Sequence, residues 1–218
     1  MALYVPKKVV YNWFQHDLVY TIELLAGYVK EIDIIADESQ KRLKDSKIII
    51  PLDDEREIEN YLGLDSETWD LQGVVTSYFP NLQRRSAFIT ITSFFENEFD
   101  KLCDLYKKQK EFEIELRDLY GKGFERAANY IQKVAGVNIY KESPEWKELK
   151  LLQKLRNVII HQNGKIDKPV GNDYKELVAY IEGNSYLKID ENEVFIEKGF
   201  LMYVLISFSK YFFINICD

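Results

Sequence analysis

The chain has 218 residues, of which 46% are hydrophobic and 14% aromatic, while glycine (10) and proline (5) are scarce. This composition excludes a disordered or low-complexity chain and predicts one packed domain over residues 1–218. The net charge of −7 excludes nonspecific coating of nucleic acid, because neutralising phosphates takes clustered Lys and Arg. Cys103 and Cys217 form no Cys-x-x-Cys pair, so we expect neither structural zinc nor a disulfide framework. Residues 1–10 lack the apolar run of a signal peptide, and we expect a cytoplasmic protein.

Hydrophobic periodicity predicts two long helices in the first half of the chain. The first runs from Lys8 to about Lys44, where apolar residues recur at steps of three and four. Ile48–Pro51 breaks this pattern and is expected to be extended. Asp53–Leu62 is expected to form a short helix, because acidic residues are favoured at a helix N-terminus. The second long helix runs from Asn81 to about Lys110, with Asn81 as its N-cap.

The second half of the chain is predicted to contain further helices and one β-hairpin. Ser143-Pro144 opens the clearest helix, because Ser is a good N-cap and Pro fits the first helical position. Asn163-Gly164 supplies its C-cap. The hairpin is predicted where apolar and polar residues alternate on both sides of Glu191-Asn192. The remaining helices are expected at Gly123–Ala135, at Asp173–Glu182 and at the C-terminus. The fold class is therefore mainly α, with a small β-hairpin near the C-terminus.

The segment Gly199–Cys217 is apolar for about the length of a membrane span. It contains Lys210 near its centre, and a charged residue there is costly in a bilayer. We therefore expect a buried C-terminal helix and no stable membrane association, although a membrane-associated scaffold remains an alternative.

The most basic part of the chain lies between Lys141 and Lys168. This window holds seven basic residues against four acidic ones, a net charge of +3, so the rest of the chain carries −10. An evenly solvated helix face would give the same count, but the window also contains the motif described next.

The motif is Arg156-Asn157-Val158-Ile159-Ile160-His161, near the end of the predicted helix that Ser143-Pro144 opens and within the stretch Trp146–Ile166. It resembles the signature of the HEPN superfamily, in which an Arg is followed after four to six residues by His, usually with a polar residue directly after the Arg. Asn157 fills that polar position. A long helix upstream, Ser93–Cys103, and the helical layout extend the resemblance more loosely.

The resemblance implies a HEPN-like helical bundle that forms a homodimer around the motif helix, with a composite active site of two Arg–His pairs. It implies metal-independent RNA cleavage, with no cofactor, that leaves a 2′,3′-cyclic phosphate and a 5′-hydroxyl. The expected setting is a toxin–antitoxin system or another antiviral defence module, in which a cognate antitoxin or regulatory protein restrains the activity. A noncatalytic HEPN-like module that dimerises and binds RNA, nucleotide or protein is the alternative.

The residue types suit this chemistry independently of the resemblance. Arg156 offers a guanidinium fork that fits the phosphate in the transition state. His161 has the side chain whose proton moves near neutral pH, so it can serve the attacking or the leaving oxygen. Asn157 could orient His161 or bind a phosphate oxygen. These three are the candidate catalytic residues.

Helical geometry limits how these residues cooperate. At about 100° per residue, Asn157 and His161 share a face, while Arg156 and His161 diverge by roughly 140°. Three arrangements would bring them to one phosphate: the Arg side chain wraps round the helix, His161 sits at a loosened helix end, or the site is shared across a dimer.

Other charged residues have plainer interpretations. His16 is expected to be a structural or surface residue. Glu96 and Glu98 could hold Arg156 or His161 in place, but we expect both to lie on a solvated helix face. Arg84 and Arg85 are expected to be solvated surface charges as well.

Overall fold

The computed structural model describes residues 13–53, 56–166 and 172–215. The fold is mainly α, as predicted. Two small antiparallel sheets accompany the helices, one after the first helix and one hairpin near the C-terminus. The helices are α1 (Trp13–Ser46), α2 (Leu71–Gly73), α3 (Phe79–Lys110), α4 (Gly123–Lys133), α5 (Pro144–Gln162), α6 (Asn172–Gly183) and α7 (Phe200–Asn215), with a π-helix at Val74–Tyr78 and a 3-10 turn at Leu116–Asp118. The strands are β1 (Ile48–Pro51), β2 (Glu57–Tyr61), β3 (Leu64–Asp65), β4 (Leu187–Asp190) and β5 (Glu193–Ile196).

The core lies around α7, which packs against α1, α3 and α5. Its aromatic side chains interlock with those of α3. The rings of Phe95 and Phe208 stack with centroids 4.1 Å apart, and Phe99 and Phe212 lie 4.5 Å apart. Such pairs add to the free energy gained from removing large apolar side chains from water. Because these helices cover α7 on several sides, most of its side chains are buried, which explains its apolar composition.

The expected buried C-terminal helix is confirmed over the described part of α7. Phe200, Leu205 and Phe208 are fully buried. Lys210, the residue that argued against a membrane span, places its Nζ atom 2.7 Å from Glu145 Oε1 of α5. None of the described helices combines the length and the hydropathy needed to cross a membrane. Cys217 lies outside the described residues.

The predicted hairpin is also confirmed. Strands β4 and β5 pair antiparallel from Leu187 with Ile196 to Asp190 with Glu193. The turn residues Glu191 and Asn192 both have positive φ, of 46° and 65°. Positive φ at both turn residues matches the right-handed twist of the two strands.

Two predictions in the first half of the chain are wrong. The described residues of Asp53–Leu62 form no helix, since β2 occupies half of the segment and pairs with the predicted extended segment Ile48–Pro51. Asp53 accepts a hydrogen bond from the Arg56 N–H (3.0 Å), so its carboxylate serves a backbone donor just before β2 instead of one at a helix N-terminus. The local acidic pattern suits either role, and the pairing partner decides between them. The start of the first helix, predicted at Lys8, lies outside the described residues.

The other wrong prediction concerns the N-terminus of the second long helix. Helical structure begins at Leu71, where Asp70 accepts a hydrogen bond from the Gly73 N–H (3.0 Å), and continues through the π-helix into α3. Pro80 has no N–H and crowds the preceding helical turn, and the wider π turn directly before α3 accommodates it. Asn81 is therefore not an N-cap. Its buried side chain accepts a hydrogen bond from the Ile196 N–H (2.9 Å).

Candidate active site

The motif helix α5 begins and ends as predicted. Ser143 Oγ accepts a hydrogen bond from the Trp146 N–H (3.1 Å), and Pro144 occupies the first helical position. Asn163 adopts the left-handed conformation with φ of 52°, and the N–H groups of Asn163 and Gly164 both donate to the Val158 carbonyl. One face of α5 enters the core through buried residues Trp146, Leu149, Leu152, Leu155, Val158 and Ile159.

The N-terminal half of α5 is held between α6 and α7 by Glu148. Its Oε1 atom accepts hydrogen bonds from the hydroxyls of Tyr180 and Tyr203, both at 2.6 Å. Burial raises the pKa of Tyr203 to about 12, and burial likewise raises the pKa of Tyr180. Both phenols therefore stay protonated and remain donors to the carboxylate at neutral pH.

The C-terminal end of α5 is held by Arg85 of α3. Its Nη1 atom donates to the Asn163 carbonyl (3.2 Å) and lies 2.6 Å from Glu193 Oε1. Its Nε and Nη2 atoms donate to the Val194 carbonyl at 3.2 and 2.5 Å. The expectation of a solvated charge is wrong, because Arg85 is only 3% exposed. The hairpin folds over it and supplies acceptors that a surface arginine would find in water.

Its neighbour Arg84 is buried too, at 7% exposure, which corrects the same expectation. Its Nε atom lies 3.3 Å from Asp33 Oδ1 of α1. The two arginines thus connect α3 to α1 on one side and to the hairpin on the other.

His161 lies in the last turn of α5 and is exposed. Its side chain makes no hydrogen bond or ion pair with another described residue. The helix is regular through Gln162, so His161 is not beyond a loosened helix end. The imidazole therefore faces solvent from a fixed backbone and is free to bind a ligand from outside.

Arg156 is half-buried and extends in two directions. Its Nη1 atom donates to Asn157 Oδ1 (3.3 Å), and its Nη2 atom lies 3.8 Å from Glu96 Oε2 of α3. The side chains of Arg156 and Glu96 are 24% and 23% exposed. The Arg156 Nε atom is buried and has no acceptor among the residues that the structure describes. The guanidinium thus sits at the protein boundary, with one of its donors unsatisfied.

Of the three arrangements considered for the motif, the one in which the Arg156 side chain wraps round the helix agrees with these contacts. Asn157 shares the exposed face of α5 with His161, and the contact with Asn157 brings the guanidinium towards that face. No hydrogen bond or ion pair joins His161 to Arg156 or Asn157, which all lie in the described range 56–166. The structure thus couples Arg156 with Asn157 and leaves His161 separate.

Glu96 was the less favoured candidate for holding Arg156, and the structure places it there. Glu98 does not reach the motif. It is buried on another side of α3 and lies 2.6 Å from Lys101 Nζ, so neither glutamate lies on a freely solvated face. His16 is exposed on α1, as expected for a surface residue.

The start of α4 packs closely against Glu96 and Gln153, next to Arg156, a contact that was not apparent from the sequence. A Cβ atom on Gly123 would lie 2.6 Å from Gln153 Nε2 and 3.0 Å from Glu96 Oε1. Gly123 also has φ of 54°, so a side chain there would be both strained and crowded. Gln153 precedes Arg156 by one helical turn, and that spacing was the only available signal for it.

Within the described ranges, no group of three or more His, Cys, Asp or Glu side chains is arranged to hold a metal ion. The chain matches no protein-family model, no curated protein and no solved structure. The motif geometry and the residue chemistry therefore carry the functional argument.

Proposed function

We propose that this protein is a metal-independent endoribonuclease. The proposal is carried by an exposed His161, which pairs with none of the described residues and shares its helix with a half-buried Arg156 that Asn157 and Glu96 orient. Those are the two groups that phosphodiester cleavage without a metal requires, a fixed cation and a proton carrier. The resemblance to the HEPN signature points to the same chemistry.

In the proposed reaction the ribose 2′ oxygen attacks the adjacent phosphorus, and the bond from phosphorus to the 5′ oxygen breaks. The 2′-hydroxyl loses a proton and the 5′ oxygen gains one, giving a 2′,3′-cyclic phosphate and a 5′-hydroxyl. His161 performs one of these two transfers. Arg156 stabilises the extra negative charge on the phosphoryl oxygens, and Asn157 fixes the guanidinium or contacts one of those oxygens.

Glu96 acts in this proposal as a positioning residue, because it touches Arg156 rather than the substrate. At 3.8 Å it biases the guanidinium rotamer without satisfying all of its donors. We expect Glu96→Gln to lower kcat about tenfold while RNA binding tightens or stays unchanged, since a negative charge near the phosphate is removed. A merely structural role would instead reduce the melting temperature.

The test is incubation of the purified protein with RNA in excess EDTA. Cleavage that survives chelation, yields cyclic phosphate ends and is lost in both Arg156→Ala and His161→Ala is the expected result. His16→Ala is the matched control, because it removes the other exposed histidine of the chain. Equal activity in the wild type and His161→Ala would show that a contaminant cleaves the RNA.

The proposal includes a homodimer whose two motif helices face each other. Ile160 supports this, because it is a large apolar residue of the motif and is nevertheless 39% exposed, between Arg156 and Asn157 around the axis of α5. Ile160→Asp should yield a monomer with little activity per chain. Leu24→Asp, at a 72% exposed position on α1, is the control and should leave activity unchanged. Full activity in a monomeric Ile160→Asp protein would refute the composite site.

We further propose, from the resemblance alone, a cytoplasmic toxin or antiviral defence effector restrained by an antitoxin-like partner. Growth arrest on expression of the wild type, but not of His161→Ala, is the expected phenotype.

The alternative is a noncatalytic dimerising module that binds RNA or nucleotide. The absence of a bond from His161 to Arg156 or Asn157 favours it. RNA binding without cleavage in the same assay would decide for this alternative.

A further inference from the structure

The loop between α4 and α5 encloses an open pocket of about 660 Å³. Amide side chains from Gln132 and Asn138 line it, together with Tyr140, Lys141 and Glu142. The Glu142 carboxylate is turned to solvent and lies 3.7 Å from Lys147 Nζ. Tyr140 is 58% exposed, although a tyrosine ring gains free energy from burial. The Lys141 Nζ atom donates to Asn129 Oδ1 of α4 (2.6 Å), which fixes the ammonium group beside the pocket. The pocket therefore offers an aromatic face, hydrogen-bonding amides and a cation together.

This pocket and the motif lie at opposite ends of α5. Ser143 borders the pocket and His161 lies 18 residues further on, which is about 27 Å at 1.5 Å per residue. Lys150 and Lys154 lie between them, on the face of α5 that also carries Asn157 and His161. Their ammonium groups each lie 3.0 Å from a carboxylate on a neighbouring helix, Glu125 for Lys150 and Glu176 for Lys154. These exposed ion pairs contribute little to stability, so phosphates can compete for both lysines.

We propose that the pocket at Tyr140 binds a nucleobase of a single-stranded RNA substrate, several nucleotides away from the phosphate that is cleaved at the motif. This rests on the proposed function and names its substrate class. Single-stranded bases stack on aromatic side chains and are read through hydrogen bonds to their edges, which Gln132 and Asn138 are placed to make. The strand follows Lys150 and Lys154, because RNA phosphates displace the Glu125 and Glu176 carboxylates from the two ammonium groups.

A double-stranded RNA does not fit this arrangement, since its bases are stacked inside the duplex and cannot reach Tyr140. We therefore expect single-stranded substrates of sufficient length to be cleaved with a higher kcat/KM than dinucleotides, which span only the motif.

The experiment has a binding arm and a cleavage arm. Binding is measured by fluorescence anisotropy with a 2′-O-methyl single strand of about 12 nucleotides, which lacks the attacking hydroxyl. Tyr140→Ala should weaken its binding about fivefold or more, and Tyr140→Phe should keep it, because stacking survives in phenylalanine. Tyr20→Ala is the matched control, as Tyr20 is also 58% exposed but lies on α1. Cleavage of a dinucleotide should be equal in the wild type and Tyr140→Ala.

Unchanged binding of the long strand in Tyr140→Ala overturns the proposal, and so does an equal loss in the Tyr20→Ala control. Equally tight binding of a duplex overturns it too. Tyr140-dependent binding without any cleavage supports the pocket while it refutes the ribonuclease. Cleavage of long and short RNA that ignores Tyr140 refutes the pocket and leaves the ribonuclease standing.

Discussion

Replacing Arg85 by Met tests the main structural link between α3, the hairpin and the end of α5. The guanidinium donates to the Asn163 and Val194 carbonyls and pairs with Glu193 at 2.6 Å, with its side chain only 4% exposed. Methionine preserves much of the volume but leaves these acceptors without their donors. Removing one partner of a buried ion pair costs about 3–5 kcal/mol.

The lower end of that range applies, because Glu193 is 22% exposed and regains some water. We therefore expect a loss of about 3 kcal/mol in the free energy of unfolding. For a chain of this size that corresponds to a melting temperature lower by about 6–12 °C. Urea denaturation followed by circular dichroism gives the free energy, and calorimetry gives the melting temperature.

Arg117→Met is the matched control. Arg117 also lies 2.6 Å from a glutamate, Glu115, but its side chain is 80% exposed. An exposed pair of this kind contributes less than about 1 kcal/mol. Equal losses in Arg85→Met and Arg117→Met would refute the claim that burial of Arg85 sets its contribution.

Three further predictions concern single positions. Ser143→Ala should lower the free energy of unfolding by about 1 kcal/mol, because α5 loses its N-cap. Gly164→Ala should cost more than about 1–2 kcal/mol, measured by urea denaturation, since φ is 76° and the new Cβ would lie 2.2 Å from Arg85 Nη2. Burial raises the pKa of the Cys103 thiol to about 12, so in a Cys217→Ser background a thiol reagent at about pH 8 should react only after unfolding.

Each of these three predictions has a control or a result that would contradict it. Gly27→Ala should stabilise by about 0.5–1 kcal/mol, because a Cβ there meets nothing within 4 Å inside α1. If Gly27→Ala lowers the free energy of unfolding and Gly164→Ala does not, the claim that positive φ and crowding require glycine at position 164 is wrong. Unchanged stability of Ser143→Ala would mean that water replaces the cap. Rapid labelling of Cys103 in the native protein would show that α3 and α4 open locally around it.

The sequence alone was sufficient for the elements whose signals are local. The bounds of α5 follow from Ser143-Pro144 at one end and Asn163-Gly164 at the other, because caps act through neighbouring backbone groups. The hairpin follows from alternation within ten residues, and α7 from its apolar length. The helix predicted over Asp53–Leu62 was wrong, because the structure of this segment depends on pairing with another strand, Ile48–Pro51.

The candidate site divides in the same way. Arg156, Asn157 and His161 are neighbours in sequence, so their shared helix and their angular spread could be predicted. The Arg156–Glu96 contact could only be weighed as an alternative, because the two residues are 60 positions apart and meet through the packing of α3 against α5.

Arg84 and Arg85 show what only the tertiary structure decided. Adjacent arginines on a long helix are ordinarily solvated, since burying a charge without partners is costly. Here the partners come from Asp33, about 50 residues earlier, and from the hairpin around Val194, about 110 residues later. The sequence therefore determined which helix carries the motif and where that helix ends. The tertiary structure determined what holds the end in place, because the free energy of a buried charge depends on acceptors that distant segments bring to it.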